Sequence, residues 1–212
     1  MRIACLHTAA SNIALFDRAA TEFKLGAGVL HHVVQCELLL DAEKQGSVTP
    51  EIAGKTLEIL EHLAMQADAI LLNCSTLGPV ADQANTLLPI PVVRSDRALA
   101  QQALQTGQSL TVLCTAPTTV AATSQLFTQV FSGSLIVPDI CLVQGAWALF
   151  RSGDMNAYEQ LIADAADNAY SNGSQVVAFA QTSMTDAAQH IRSGQPPLVV
   201  PTAALKTILS LV

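Results

Sequence analysis

The sequence predicts an α/β protein of two similar, pseudo-symmetric lobes, each a parallel sheet flanked by helices. Three observations carry that prediction. Short apolar runs alternate with longer stretches of helical periodicity, the pattern of strands buried on both faces and joined by crossover helices. The alternation starts again near the middle of the chain. Each half also has an apolar run that ends in small polar residues: Asn73-Cys74-Ser75-Thr76 in the first, Ala180-Gln181-Thr182-Ser183 in the second.

In the first half, residues 3–6 read as a buried strand, followed by a polar turn from His7 and Thr8 to Asn12 and a helix over 13–21. Residues 29–34 give a second strand with His31 and His32 at its centre. Successive strand side chains face opposite ways, so this pair cannot ligate one metal, and packing is the expected role. Residues 38–41 read as a connection to Ser47-Val48-Thr49-Pro50-Glu51. Thr49 as N-cap with Pro50 at the first helical position starts a helix reaching to about residue 66, with Ile52, Leu57, Leu60 and Leu63 along one side. The strand over 69–72 follows. Gly78-Pro79 break it, and Val80 opens a helix. Residues 90–93 form a short, edge-like strand before Ser95-Asp96.

The second half predicts a helix over 98–105 and a strand over 110–113 that ends in Cys114-Thr115-Ala116-Pro117-Thr118-Thr119. A helix over 120–131, a weaker strand region over 135–137 and 141–143, and a helix over 156–170 come next. A strand over 175–180, a helix to about 192, a strand over 198–200 and a terminal helix to 211 complete the chain. Residues 1–96 with 198–212 are expected as the N-terminal lobe, which carries Cys74. Residues 97–197 are expected as the C-terminal lobe, which carries Gln181. No Gly/Ser-rich linker divides them, so close packing with a ligand held between the lobes is expected.

Composition excludes several classes. The net charge is −7, with half the residues hydrophobic and only 13% charged. A nucleic-acid partner would want a basic face. No apolar run approaches a membrane span, and the N-terminal run is too short for a signal peptide. Five cysteines lie scattered without CxxC spacing, which suits neither a disulfide framework nor a zinc site. Reduced thiols, and hence a cytoplasmic location, are expected. Neither GxGxxG nor GxxxxGK[ST] occurs, so a nucleotide cradle is unsupported. Cys5, Cys36, Cys114 and Cys141 are expected in the core, and Trp147 in packing near a lobe boundary.

Cys74 is the leading chemical candidate. Ligands of parallel α/β sheets bind beyond the carboxyl ends of the strands. The amides and dipole of the helix that follows favour a thiolate and attract anions. The alternative reading is a buried, inert thiol.

These motifs together resemble the aspartate/glutamate/hydantoin racemase superfamily over essentially the whole chain. The matching residues are Leu6-His7-Thr8 with Leu15-Phe16, Glu37-Leu38-Leu39, Asn73-Cys74-Ser75-Thr76, Thr115-Ala116-Pro117-Thr118-Thr119 and Ala180-Gln181-Thr182-Ser183-Met184. The resemblance implies a cofactor-independent enzyme of two lobes, with no metal, acting on a small carboxylic acid. Such enzymes move a proton at the carbon next to a carboxyl group, typically with one cysteine from each lobe. A homodimer is compatible with it. Cys74 matches the first cysteine and would be base or nucleophile. His7 would be an auxiliary acid or base. Thr8, Ser75, Thr76, Thr118, Thr119, Gln181 and Thr182 would hold the substrate. Gln181 stands where the second cysteine belongs, and an amide cannot titrate. Racemisation with an unusual second base, isomerisation and decarboxylation therefore all stay open. So does a rival of another class, a non-catalytic protein that binds or senses a small carboxylate on the same scaffold.

Overall fold

The computed structural model describes residues 1–212, and they cluster into two compact units, Met1–Ala98 with Pro201–Val212, and Leu99–Val200. The first contains β1 (Ile3–His7), α1 (Asn12–Glu22), β2 (Leu30–Val34), α2 (Cys36–Gln45), α3 (Pro50–Ala64), β3 (Ala69–Asn73), α4 (Gly78–Leu87) and β4 (Val92–Arg94). Helix α5 (Ser95–Gln105) leads into the second unit. There follow β5 (Leu110–Cys114), α6 (Pro117–Val130), β6 (Asp139–Leu142), α7 (Ala146–Ser152), α8 (Met155–Ser171), β7 (Val176–Phe179), a 3-10 helix (Thr182–His190) and β8 (Leu198–Val199). Helix α9 (Val200–Leu209) returns the chain to the first unit.

The two sheets share one plan. Their orders are β2-β1-β3-β4 and β6-β5-β7-β8, and every pairing is parallel. The central strands β1, β3, β5 and β7 are buried along their whole length, as continuous apolar runs require.

Alternation along β1 and β3 divides the first unit into two cores. Ala4, Leu6, Ile70 and Leu72 face one side, with Ile52, Leu60 and Leu63 of α3 and Val80, Ala81 and Ala84 of α4. Cys5 and His7 point the other way, and the His7 ring meets Phe16 of α1 edge-on with centroids 5.3 Å apart. In the second unit, Tyr158, Ile162 and Ala166 of α8 pack against Val177, Phe179 and Leu113.

Local chemistry explains the helix boundaries. The Thr49 side chain accepts from the Ile52 N–H at the start of α3, with Pro50 at the first position. Asp154 caps α8 in the same way, accepting from the Ala157 N–H. Both ends of α7 use glycines with positive φ, Gly145 at 82° and Gly153 at 79°.

Four elements differ from the sequence reading. Residues 36–45 form a helix, not a connection; Leu38 and Ala42 are its buried stripe, too short to stand out as periodicity. Residues 146–152 form a helix of only seven residues between glycines. Leu135 and Val137 belong to no strand and are 102% and 87% exposed, because Pro138 interrupts the run and only Asp139–Leu142 pairs. Residues 182–190 wind as a 3-10 helix, and the Thr185 hydroxyl bonds back to the Thr182 carbonyl. No helix is long and apolar enough to cross a membrane.

Candidate active site

In the first unit, β3 ends at Asn73, and the chain turns through 74–77 into α4. Cys74 is half-buried at this turn. Its sulfur accepts from the Thr8 hydroxyl and from the backbone N–H groups of Leu77 and Thr76. Loss of water around the sulfur raises its pKa, and those three donors oppose the rise. The Asp96 carboxylate adds to it. The result is a thiol that is harder to ionise than usual and, once ionised, a stronger base held by directed hydrogen bonds. Ser75 and Thr76 are half-buried beside it. The Ser75 carbonyl accepts from the Gly78 N–H and shapes the first turn of α4.

A chain of hydrogen bonds runs behind Cys74. The Ser95 hydroxyl donates to Asn73 Oδ1. Asn73 Nδ2 donates to His7 Nδ1 at 3.3 Å, so the His7 proton sits on Nε2 and is given to His32 Nδ1 at 2.8 Å. His32 Nε2 in turn reaches Asp17 Oδ1 at 3.0 Å. Burial, and then the neighbouring His32, push the His7 pKa down to about 4, so His7 is neutral at physiological pH. This differs from the auxiliary acid or base that the resemblance implies for His7. It is 0% exposed and both ring nitrogens are engaged, so it reaches Cys74 only indirectly, by fixing the Asn73 amide.

An ionic cluster lies on the other flank. Arg94, at the end of β4, gives Nε and Nη2 to the two oxygens of Asp96 at 2.7 and 3.0 Å, and Nη1 to Asp82 at 3.0 Å. Arg97 grips both Asp82 oxygens at 3.0 and 2.9 Å. Burial raises the Asp96 carboxyl and Arg94 holds it down. The Arg94 guanidinium lies against Gly78, where a Cβ would fall 2.6 Å from Cζ. Only glycine fits there, so this residue lets the arginine reach the start of α4.

In the second unit the corresponding strand end is Gln181, after β7. Its Oε1 accepts from the Thr115 N–H at 2.7 Å, the Thr115 hydroxyl at 2.8 Å and the Ala116 N–H at 3.2 Å. It caps the start of α6 with an amide oxygen. The relation repeats the first unit: the threonine just after the first strand of each sheet bonds a residue one or two positions past the third, Thr8 to Cys74 and Thr115 to Gln181. Thr115 also meets the Tyr158 hydroxyl at 3.2 Å, and Tyr158 meets Ser183 at 2.9 Å. Burial raises the Tyr158 phenol, which remains a neutral link in this chain.

The Thr8 hydroxyl and the Thr76 backbone N–H thus both meet the Cys74 sulfur. Thr118 is exposed at the first turn of α6. Thr119 is not a free donor, because its hydroxyl is given to the Ala116 carbonyl at 2.8 Å. Thr182 is buried at the start of the 3-10 helix. Among the other cysteines, Cys5 and Cys114 lie in the core, but Cys36 is exposed at the start of α2 and Cys141 is half-buried, its thiol donating to Asp139 at 3.3 Å. Both correct the expectation of a core position; α2 presents its first residue outward, and β6 is an edge strand. Trp147 stacks on Phe150 with centroids 5.2 Å apart.

Sequence reasoning missed Ser95, Asp96, Arg94, Thr115, Tyr158 and Ser183 as parts of these networks. Ser95-Asp96 carried a usable signal, a third polar strand end in the same half. Arg94 was a lone charge closing an apolar run. Nothing local marks Tyr158, which sits inside a helix pattern.

A doubly repeated parallel α/β fold with a thiol at one third-strand end defines a class of two-unit α/β proteins with a candidate catalytic cysteine. The Asp/Glu/hydantoin racemase family model matches residues 9–208, and the chain belongs to that family. Solved structures similar in fold include the Picrophilus torridus aspartate racemase, with a TM-score of 0.74 at 13% identity over 99% of this chain and 94% of that one. Allantoin racemase from Klebsiella pneumoniae aligns with a TM-score of 0.71 at 17% identity over 100% and 87%. A mutant of arylmalonate decarboxylase aligns with a TM-score of 0.60 at 17% identity over 99% and 92%. At these identities the likeness is one of fold. No curated protein matches the chain significantly.

Proposed function

We propose that the protein is a cofactor-independent enzyme that moves a proton, or replaces a carboxylate by a proton, at the carbon next to a carboxyl group of a small acid. The observation that carries the proposal is the environment of Cys74: a sulfur at a parallel strand end, short of water, held by one hydroxyl and two backbone N–H groups. A carbon-bound proton of this kind is weakly acidic, so the base must be strong and well placed. A desolvated thiolate is a strong base, and the three donors fix its position. The negative charge that develops on the substrate carboxyl needs donors as well. The Ser75 and Thr76 hydroxyls beside Cys74 suit that task.

The chemistry is proposed to use one base. Gln181 spends its oxygen on the α6 start and has no titrating proton, so that strand end supplies no second base. Proton exchange with retention, isomerisation or decarboxylation fits this arrangement better than two-base racemisation. His7 is proposed as a positioning residue that sets Asn73 and hence the turn at Cys74.

The test is loss of the α-proton signal by NMR in deuterium oxide, with aspartate, glutamate, hydantoins and malonates as the panel. Exchange or decarboxylation that vanishes in Cys74→Ser and Cys74→Ala, with melting temperature unchanged, is the expected result. Undiminished turnover in both variants would remove Cys74 from the reaction. Saturable binding with no exchange for any compound would favour a carboxylate sensor instead.

A further inference from the structure

We propose that Cys5, His7 and His32 form a binding site for a borderline divalent transition metal, zinc(II) first among them. The sequence reading assigned no metal because His31 and His32, adjacent on one strand, face opposite sides. The structure supplies the missing ligands from the neighbouring strand. Alternation puts Cys5 and His7 on one face of β1, and parallel register sets His32 of β2 beside Cys5. The Cys5 sulfur and one ring nitrogen from each histidine lie within 4.8 Å of one another, and the two nitrogens are 2.8 Å apart.

One thiol and two imidazoles are a donor set that zinc favours. Around a tetrahedral ion with bonds of about 2.0–2.3 Å, donor atoms stand roughly 3.3–3.7 Å apart, so the nitrogens need part by only about half an ångström. Ligands borne on two hydrogen-bonded strands are held rigidly.

The outer partners strengthen the assignment. Metal-bound histidines give their remaining ring N–H to a carboxylate or carbonyl, which fixes the ligating nitrogen. His32 Nε2 already bonds Asp17 Oδ1, which leaves Nδ1 for the ion. His7 Nδ1 already faces the Asn73 amide. When the ion takes His7 Nε2, the His7 proton moves to Nδ1. The Asn73 amide then turns over, accepting from His7 through Oδ1 and donating to Ser95 through Nδ2. A serine hydroxyl serves equally as donor or acceptor, so the chain stays satisfied.

Protons and charge balance. Zinc(II) displaces the Cys5 thiol proton, which leaves to water, and no redox partner is needed. One thiolate and the Asp17 carboxylate together neutralise the double positive charge, which a buried ion requires. Water fills the fourth position. An approach exists as well, since the Asp17 side chain is 60% exposed and that of His32 reaches the surface at 13%.

The test uses the full chain after chelator treatment, titrated with zinc(II) in competition with a chromophoric chelator, and separately with cobalt(II). One ion per chain at sub-micromolar affinity, with a thiolate-to-cobalt charge-transfer band, is expected. Cys5→Ser removes the band and the tight site. Asp17→Asn keeps the band and weakens affinity about 10- to 100-fold, the usual loss for an outer partner. Cys36→Ser and Cys74→Ser leave the site unchanged. Absence of tight binding overturns the proposal, as does binding that survives Cys5→Ser or is lost with Cys36→Ser or Cys74→Ser. Should Cys5→Ser fail to fold, His32→Gln on the edge strand takes its place, and unchanged affinity in folded His32→Gln and Asp17→Asn is equally fatal.

Discussion

Replacing Arg94 by methionine tests whether the ionic cluster beside Cys74 is a coupled unit. Arg94 is 8% exposed and fills both oxygens of Asp96 and one of Asp82. Asp82 keeps Arg97 in the variant, so its charge stays compensated. Asp96 keeps only the Arg97 backbone N–H at 3.0 Å. A buried carboxylate stripped of its partner costs about 3–5 kcal/mol. Asp96→Asn removes the charge but leaves Arg94 with Asp82, a smaller loss of about 1–3 kcal/mol. The double variant lacks the stranded charge altogether, so its loss should fall short of the sum by at least about 2 kcal/mol. The pH dependence has a definite sign. Burial already raises the Asp96 carboxyl above its ordinary value, and removing Arg94 raises it further. The folded variant then binds a proton more readily than the unfolded chain, so its deficit shrinks as pH falls and grows as pH rises through that window. Urea unfolding of the four proteins at neutral and mildly acidic pH reads both quantities. Single losses that add to within about 0.5 kcal/mol, or an Arg94→Met deficit independent of pH, would refute the reasoning.

Other expectations follow from the same geometry. Gly78→Ala places a methyl group against the Arg94 guanidinium, 2.6 Å from Cζ, and should destabilise by about 1–3 kcal/mol in urea unfolding, less in an Arg94→Ala background where the Cδ and guanidinium atoms are gone. Gln181→Ala strands the Thr115 and Ala116 amides and should lower stability by about 1–3 kcal/mol. Gln181→Glu should recover most of that loss near neutral pH, because a carboxylate accepts the same donors at a helix start; its depressed carboxyl makes the recovery fade as pH falls, which NMR titration of the new side chain checks. Turnover that depends on the Cys74 thiolate should rise with pH and level off only above the ordinary thiol range, since desolvation raises this thiol; a plateau at neutral pH would contradict it. In Thr8→Val, which loses one donor to the sulfur, that rise should move to still higher pH.

Much of the architecture was legible in the order of residues. Apolar runs, polar strand ends and the Thr49-Pro50 start are local signals, and the repeat could be seen because the strand–helix alternation starts again and each half has an apolar run ending in small polar residues. Cys74 stood out as a thiol at the end of an apolar run that reads as a fully buried strand. What failed locally were elements too short to show a period, α2 and α7, and the run over 135–137, where apolar residues promised a strand that Pro138 prevents from pairing.

The sequence alone determined most of the strands and helices and which strand ends carry reactive groups, because those depend on propensity and spacing among near neighbours. Only tertiary structure decided what each group touches. It turned His7 away from solvent and bound both its nitrogens, set Cys5 beside His32, placed Arg94 over Gly78 and committed the Gln181 oxygen to α6. Those contacts join residues far apart in the chain. They arise from strand register and from the face each side chain takes, and neither is written in any one stretch of sequence.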